Sequence, residues 1–370
     1  MAKLGEVCKV SASTKMIDKS KAWLLNLDMV EQQTGRVVEY NFVGEDGLNG
    51  SITQFDTENV LYSKLRPNLN KVVLPERNGF CTSELLPLRP DARKLDRSYL
   101  AVFLRSDGFV NWAVSKTAGA KMPRLGTKDL LNTNIPLPEI KEQKAIAEKF
   151  KKSEELISLR KQQLFKLDEL VKARFVEMFD AISPKKCASK IGECAEVLGG
   201  YAFKSDCFSN QGVPVVRIGN INDGRIDIDY NTCYAEEFWN KNPRFQARKY
   251  DILMAMSGAT TGKVGIYKSD ERLLINQRVA CIRARDDESA IFLFACLQLP
   301  WMYNLVQEAS AGCAQPNISG KQIETMPVPK PETSKVHQFA AFVECVDQQK
   351  QTVQQSLEKL ELMKKALMQE

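Results

Sequence analysis

Between residues 139 and 180 the apolar side chains Phe150, Ile157, Leu164, Val171 and Met178 recur at every seventh position, with Ile146 and Leu167 beside them. A seven-residue period sustained over some 40 residues is the seam of a long helix packed against one partner helix. At about 1.5 Å per residue such a helix is a rod of roughly 60 Å. Pro138 precedes the run and Ser183-Pro184 breaks it, as proline cannot continue a helix. The pattern returns in 330–370, where Phe339, Val346, Val353, Leu360 and Leu367 recur every seventh residue with Val336, Val343 and Leu357 alongside. Two rods of equal length, each with one apolar seam, most simply pack on each other.

What precedes each rod also occurs twice. Lys3-Leu4-Gly5-Glu6-Val7 opens the chain and Lys190-Ile191-Gly192-Glu193-Cys194 opens its second half. Strand-like runs follow at Trp23-Leu24-Leu25-Asn26-Leu27 and Val215-Val216-Arg217-Ile218-Gly219, then at Asn59-Val60-Leu61-Tyr62 and Asp251-Ile252-Leu253-Met254. Twelve residues into the latter pair, Lys71-Val72 aligns with Lys263-Val264 without a gap. Charged strands end in Leu88-Arg89 and Ile282-Arg283, and one helix is expected over 99–115, matched by one over 292–308. Pro123-Arg124-Leu125 then answers Pro316-Asn317-Ile318, and Ile135-Pro136-Leu137-Pro138 answers Met326-Pro327-Val328-Pro329. An ordered repeat at an offset near 190 residues means two duplicated domains, not a solenoid of small units. The expected architecture is α+β: a domain at 1–138, a helix at 139–182, a second domain at 183–329 and a second helix at 330–370.

Composition narrows the chemistry. The net charge of +6, from 52 Lys+Arg against 46 Asp+Glu, is compatible with nucleic acid without being diagnostic of it. Ten cysteines are scattered without a CxxC, and the one histidine is His337, so a zinc site is not expected. Free thiols in a chain of this size suggest a reducing cytoplasm, and no apolar run reaches membrane-spanning length. Ser257-Gly258-Ala259-Thr260-Thr261-Gly262-Lys263-Val264 resembles a phosphate loop, but three residues separate its glycines where four are needed, and Val264 stands where Ser or Thr would hold Mg²⁺. It reads as a turn between strands, as does Asn242-Pro243-Arg244-Phe245. His337 reads as a solvated or packing residue.

This arrangement resembles the specificity subunit of type I restriction-modification systems over the whole chain. The resemblance rests on Gly200-Tyr201-Ala202-Phe203-Lys204-Ser205, on Val213-Pro214-Val215-Val216-Arg217-Ile218-Gly219-Asn220-Ile221 and on Asp251-Ile252-Leu253 with its Gly-rich turn. In the first half it rests on Leu65-Arg66-Pro67-Asn68-Leu69 and Ser83-Glu84-Leu85, and in both halves on the Pro-rich junctions and the helices. The first half lacks a counterpart of the Gly200–Ser205 run, as expected where two different DNA sequences are read. The resemblance implies two target-recognition domains, each followed by a spacer helix, with the two helices pairing as an antiparallel coiled coil. It implies double-stranded DNA as ligand, two methyltransferase subunits docked on the chain, and restriction/motor subunits held through them. No cofactor is expected in this chain; S-adenosylmethionine, ATP and Mg²⁺ would belong to the partners. A related multi-subunit system of the type IIB-like kind is the alternative.

Base edges are matched by Arg and Lys at guanine and by Asn and Gln at adenine, whereas a basic residue common to both halves suits phosphate. The candidates in the first half are Arg66, Asn68, Lys71, Lys121 and Arg124. Those in the second are Lys204, Thr260, Thr261, Lys263, Gln277, Arg278, Gln315 and Asn317. Arg124, Gln315 and Asn317 stand at repeat-equivalent places with unlike side chains and suit base reading. Lys71 and Lys263 are alike and suit phosphate.

Overall fold

The computed structural model describes residues 1–15, 22–44, 47–48, 50–117, 122–222, 224–311, 316–330 and 332–367. The chain divides into two compact units, Met1–Lys161 with Gln355–Glu370, and Gln162–Gln354. The division crosses both rods, so each unit holds part of each long helix.

The centre of the first unit is an antiparallel sheet with the strand order Cys8–Val10, Leu85–Pro90, Val60–Ser63, Val72–Val73. Val60, Leu61 and Tyr62 are all buried, and the period-two alternation of a strand sends them to opposite faces. Val60 and Tyr62 pack with Leu100 and Leu104 of a helical layer. Leu61 packs on the other side with Trp23, Leu25 and Phe55. The second unit repeats this plan with Ala195–Gly199, Val279–Ala284, Ile252–Ala255 and Val264–Ile266. Ile252 and Met254 face the helical core, and Leu253 and Ala255 face the other.

A smaller sheet covers that other face in each unit. Leu24–Leu25 pairs in parallel with Gly79–Thr82, and Val213–Val216 pairs in parallel with Leu274–Ile275. The third strand differs. Ile52–Phe55 lies beyond Gly79–Thr82 in the first unit, whereas Cys233–Tyr234 lies beyond Val213–Val216 in the second. The two domains thus share a frame and diverge at its outer layer.

The helix expected over 99–115 is two, Arg97–Arg105 and Asp107–Ser115, and its counterpart is Asp287–Leu297 and Pro300–Ser310. Ser106 is extended (φ −64°, ψ 144°), and its Oγ accepts the Phe109 N–H at 3.2 Å, capping a new helix. In the second unit Leu299 is extended and Pro300 opens the next helix, the position where a missing N–H costs least. The Gly-rich run at 257–264 is a turn between two strands, and Pro243–Phe245 is a single 3-10 turn. His337 is exposed and its Nδ1 lies 2.7 Å from Glu288.

The long helices are Ile140–Phe179, 40 residues, and Thr333–Leu367, 35 residues. In the first unit Glu154 meets Lys364 at 2.9 Å and Lys161 meets Glu361 at 3.4 Å. In the second, Asp168 meets Lys350 at 2.5 Å and the Phe175 and Phe339 rings lie 5.3 Å apart. Numbers rise along one helix as they fall along the other, so the pairing is antiparallel. Phe150, Phe339, Val346 and Val353 of the seam are buried, and Ile157, Leu164, Val171 and Leu360 are half-buried. The apolar seam holds the helices together; solvent-accessible ion pairs such as Lys161–Glu361 contribute about 0–1 kcal/mol.

Each unit also buries a charge against the outer part of its sheet. Asp56 is fully buried and accepts from Ser13 Oγ at 2.7 Å, the Glu58 N–H at 2.8 Å and Arg89 Nη2 at 2.6 Å. Burial pushes its carboxyl up, but the Ser13 hydroxyl, the Glu58 amide and Arg89 outweigh that and hold it at about 2, against an ordinary 3.8. A carboxyl lowered in the folded state contributes stability above pH 4 that is lost as the pH falls toward 2. Asp56→Asn is expected to flatten the stability profile between pH 4 and 2 by about 1–2 kcal/mol, allowance being made for the half-exposed Arg89. Urea titrations at a series of pH values measure this; an unchanged slope would mean that the carboxylate is not held low.

Candidate functional site

The strand Val60–Ser63 leaves the sheet of the first unit into a turn at 66–70 before the chain returns as Val72–Val73. Three separate segments are laced side by side there. The Arg66 N–H donates to Pro123 O at 2.8 Å, Leu125 N–H to Lys64 O at 2.9 Å, and Lys64 N–H to Glu84 O at 3.1 Å. Leu65 and Arg124 form an antiparallel bridge. The second unit builds the same edge. Gly258 N–H donates to Pro316 O at 3.1 Å, Ile318 N–H to Met256 O at 2.9 Å, and Met256 N–H to Arg278 O at 2.9 Å, while Ser257 bridges Asn317.

Both turns need two left-handed residues. These are Arg66 and Asn70, each at φ 49°, and Gly258 and Gly262 at φ 79° and 84°. Glycine adopts this conformation freely, whereas another residue costs roughly 1–2 kcal/mol. Asn70 offsets its cost by donating from Nδ2 to Arg105 O at 3.0 Å and Gln33 Oε1 at 3.2 Å. Arg66 is exposed.

The hydrogen bonds therefore identify three stations that correspond between the units: Arg66 with Gly258, Glu84 with Arg278, and Arg124 with Asn317. The side chains differ at all three. Arg124 is 53% exposed, and its Nη2 lies 2.8 Å from Glu84 Oε1. Glu84 is 25% exposed, and its Oε2 is buried without a hydrogen-bond partner among the described residues. Arg278, Gln277 and Asn317 are exposed.

The other candidates divide by orientation. Asn68 is exposed on the turn. Lys71 is half-buried and its ammonium donates to Leu27 O; burial lowers its pKa, partly opposed by Asp28. Lys263 holds the equivalent position, since Ser63 N–H donates to Lys71 O and Ala255 N–H to Lys263 O. Thr261 is 2% exposed, and its hydroxyl donates toward Gly258 O at 2.7 Å and Pro316 O at 3.4 Å, a brace inside the turn. Thr260 Oγ1 and Ser257 Oγ are buried beside it without a partner among the described residues. Lys121 and Gln315 lie outside the described residues.

The Gly200–Ser205 run lies against the edge of the second unit. Tyr201 N–H donates to Ile275 O at 2.9 Å and Gln277 N–H to Tyr201 O at 2.8 Å. A Cβ on Gly200 would lie 2.2 Å from Asn276 O, so only glycine lets the two backbones approach. The run places Tyr201, 37% exposed, next to Gln277, with exposed Lys204 three residues on. Tyr201 and Glu84 also belong to these edges, although neither is a basic or amide side chain. Glu84 had a signal: the offset that aligns Arg89 with Arg283 also aligns Glu84 with Arg278.

The edges offer hydrogen-bond donors and acceptors on exposed loops. Among the described residues no group of three or more His, Cys, Asp or Glu could hold a metal ion, and no single helix is long and apolar enough to cross a membrane. Exposed Arg, Asn and Gln on a common backbone frame suit the base edges of a groove.

Comparison with known proteins agrees with this. A family model described as "Type I restriction modification DNA specificity domain" matches residues 1–169 and again 185–362. The specificity subunit of the type I restriction enzyme MjaVIII of Methanocaldococcus jannaschii is 26% identical over 315 residues, 79% of this chain and 73% of that protein. Two solved structures share the fold. One comes from work on complex assembly and conformational transition of the type I R-M system, with TM-score 0.60 and 20% identity over 100% of this chain and 96% of that one. The other is a type I S subunit from M. genitalium, with TM-score 0.56 and 15% identity over 99% and 94%.

Proposed function

The chain belongs to the type I restriction-modification DNA specificity family, and from that premise we propose that its two domains read two different segments of one bipartite, asymmetric double-stranded DNA target. The observation that carries this reading is the pair of matching edges. One backbone frame presents Arg66, Glu84 and Arg124 in the first unit and Gly258, Arg278 and Asn317 in the second. A shared frame with unlike side chains is what two readers of unlike sequences require, because base-edge contacts specify while phosphate contacts only position. Lys263, half-buried beside its turn, is the candidate for a phosphate.

The paired helices act as the spacer that sets the gap between the two segments. The chain carries no catalysis of its own. Methyl transfer belongs to two methyltransferase subunits docked on it, and translocation and cleavage to restriction/motor subunits held through them. S-adenosylmethionine, ATP and Mg²⁺ are theirs, and the assembly works in the cytoplasm.

Replacing residues 1–138 by the matching block of another such subunit tests the reading. Methylation mapping of the host genome is expected to show one segment of the methylated motif changed and the other kept, with the gap unaltered. A change in both segments, or in neither, would mean that the domains do not read independently.

A further inference from the structure

The geometry points to Glu84 as a positioning residue that holds Arg124 for a guanine in the first segment, its station in the second domain being taken by Arg278, which reads a base directly. This deepens the reading of the two edges and rests on it.

Glu84 and Arg278 are equivalent by their backbone bonds to Lys64 and Met256. The station thus holds a carboxylate in one domain and a guanidinium in the other, an inversion of charge at one point of a shared frame. A carboxylate on a face that meets phosphates lowers affinity for every sequence, so it works against plain electrostatic binding. Its value to stability is small, because ion pairs with an exposed partner contribute about 0–1 kcal/mol. What Glu84 does accomplish is geometric. Oε1 takes one terminal nitrogen of Arg124 at 2.8 Å, and the half-buried carboxylate is 25% exposed where the arginine is 53% exposed. The side chain of Arg124 is thereby fixed in orientation, and its remaining guanidinium donors are left for an acceptor outside the protein. Guanine O6 and N7 are such an acceptor pair. In the second domain Asn317 stands where Arg124 does, with no carboxylate at the next station, and the exposed Arg278 faces outward in its place.

The experiment uses the chain assembled with its methyltransferase partner and duplexes carrying the mapped target with single base substitutions. Wild type is compared with Glu84→Ala, Glu84→Gln, Arg124→Gln, Glu84→Ala/Arg124→Gln and Arg278→Ala. Arg124→Gln is expected to abolish discrimination at one guanine of the first segment. Glu84→Ala is expected to reduce discrimination at that same position roughly tenfold, Glu84→Gln to retain part of it, and the double variant to lose no more than Arg124→Gln alone. Arg278→Ala is expected to act only on the second segment. Equal loss on all duplexes, loss at a position not shared with Arg124, unchanged discrimination in Glu84→Ala, or an Arg124→Gln variant that keeps its discrimination overturns the positioning role while leaving the two-reader reading intact. Wild-type protein that discriminates in only one segment overturns both.

Discussion

Phe175→Ala is expected to destabilise the second unit by about 3–5 kcal/mol, the range for emptying a fully buried aromatic position. Phe175 is 0% exposed and sits where the two long helices meet the helix Asp287–Leu297. Its ring lies 5.3 Å from Phe339, 5.4 Å from Phe292 and 5.0 Å from Phe179, tilted or edge-on to each. Such pairs add about 0.5–1.5 kcal/mol to plain area burial. Three neighbours from three stretches of chain cannot all move in to fill the space, so the cavity persists and its cost is near the upper end. Amide hydrogen exchange along 287–297 is the measurement, because it reports the local opening free energy of this unit; protection is expected to fall a hundredfold or more. Leu159→Ala is the control, since Leu159 lies on the same helix 58% exposed and is expected to shift stability by less than about 0.5 kcal/mol. A loss below 1 kcal/mol for Phe175→Ala would show that the aromatic cluster does not hold the helices to the domain.

Asp251→Ala is expected to cost about as much, by a different route. Its carboxylate is 3% exposed, accepts from Arg283 Nη2 at 2.6 Å and Nε at 2.9 Å, and also accepts the Arg248 N–H at 2.7 Å. Arg283 is 15% exposed, and the bond to Asp251 raises its pKa against the effect of burial. Removing the carboxylate leaves a guanidinium inside the domain with the Gln246 carbonyl, 3.0 Å away, to satisfy it. An uncompensated buried charge costs about 3–5 kcal/mol, whereas replacing both members by apolar residues is often close to neutral. Asp251→Ala is therefore expected to shift the urea midpoint strongly, and Asp251→Leu/Arg283→Met to recover most of the loss. If the double variant is no better than the single, the damage comes from the lost cap on Arg248 and not from the stranded charge. The pair also bears on recognition. Asp251 immediately precedes the strand Ile252–Ala255, which runs into Met256 and Ser257 of the second edge, so destabilising it loosens the frame that carries Arg278 and Asn317.

The two buried acids also mark where sequence reasoning stops. Asn59 is the counterpart of Asp251, yet the acid that pairs with Arg89 is Asp56, three residues earlier. The arginine is kept and its partner is supplied from a neighbouring position. An alignment of the repeats shows the arginines and not the pairing, because the pairing depends on where side chains converge in space.

What the sequence determined by itself was whatever is written locally or periodically. The seven-residue spacing from Phe150 and from Phe339 specified two long helices with one seam each, since side chains at that spacing fall on one face of a helix wherever it lies. The ordered repeat specified two like domains, and the alternation of Val60-Leu61-Tyr62 and Ile252-Leu253-Met254 specified strands buried on both faces. Tertiary structure decided everything that depends on residues distant in the chain. It broke the expected helix at Ser106, whose hydroxyl caps the helix that follows. It put the third strand of the small sheet on opposite sides in the two domains, and it turned Lys71 onto a carbonyl and Thr261 into its own turn. Above all it brought Glu84 to Arg124, 40 residues away. No period or spacing encodes that contact; it follows from the antiparallel return of three segments along one sheet edge, which only the folded chain brings together.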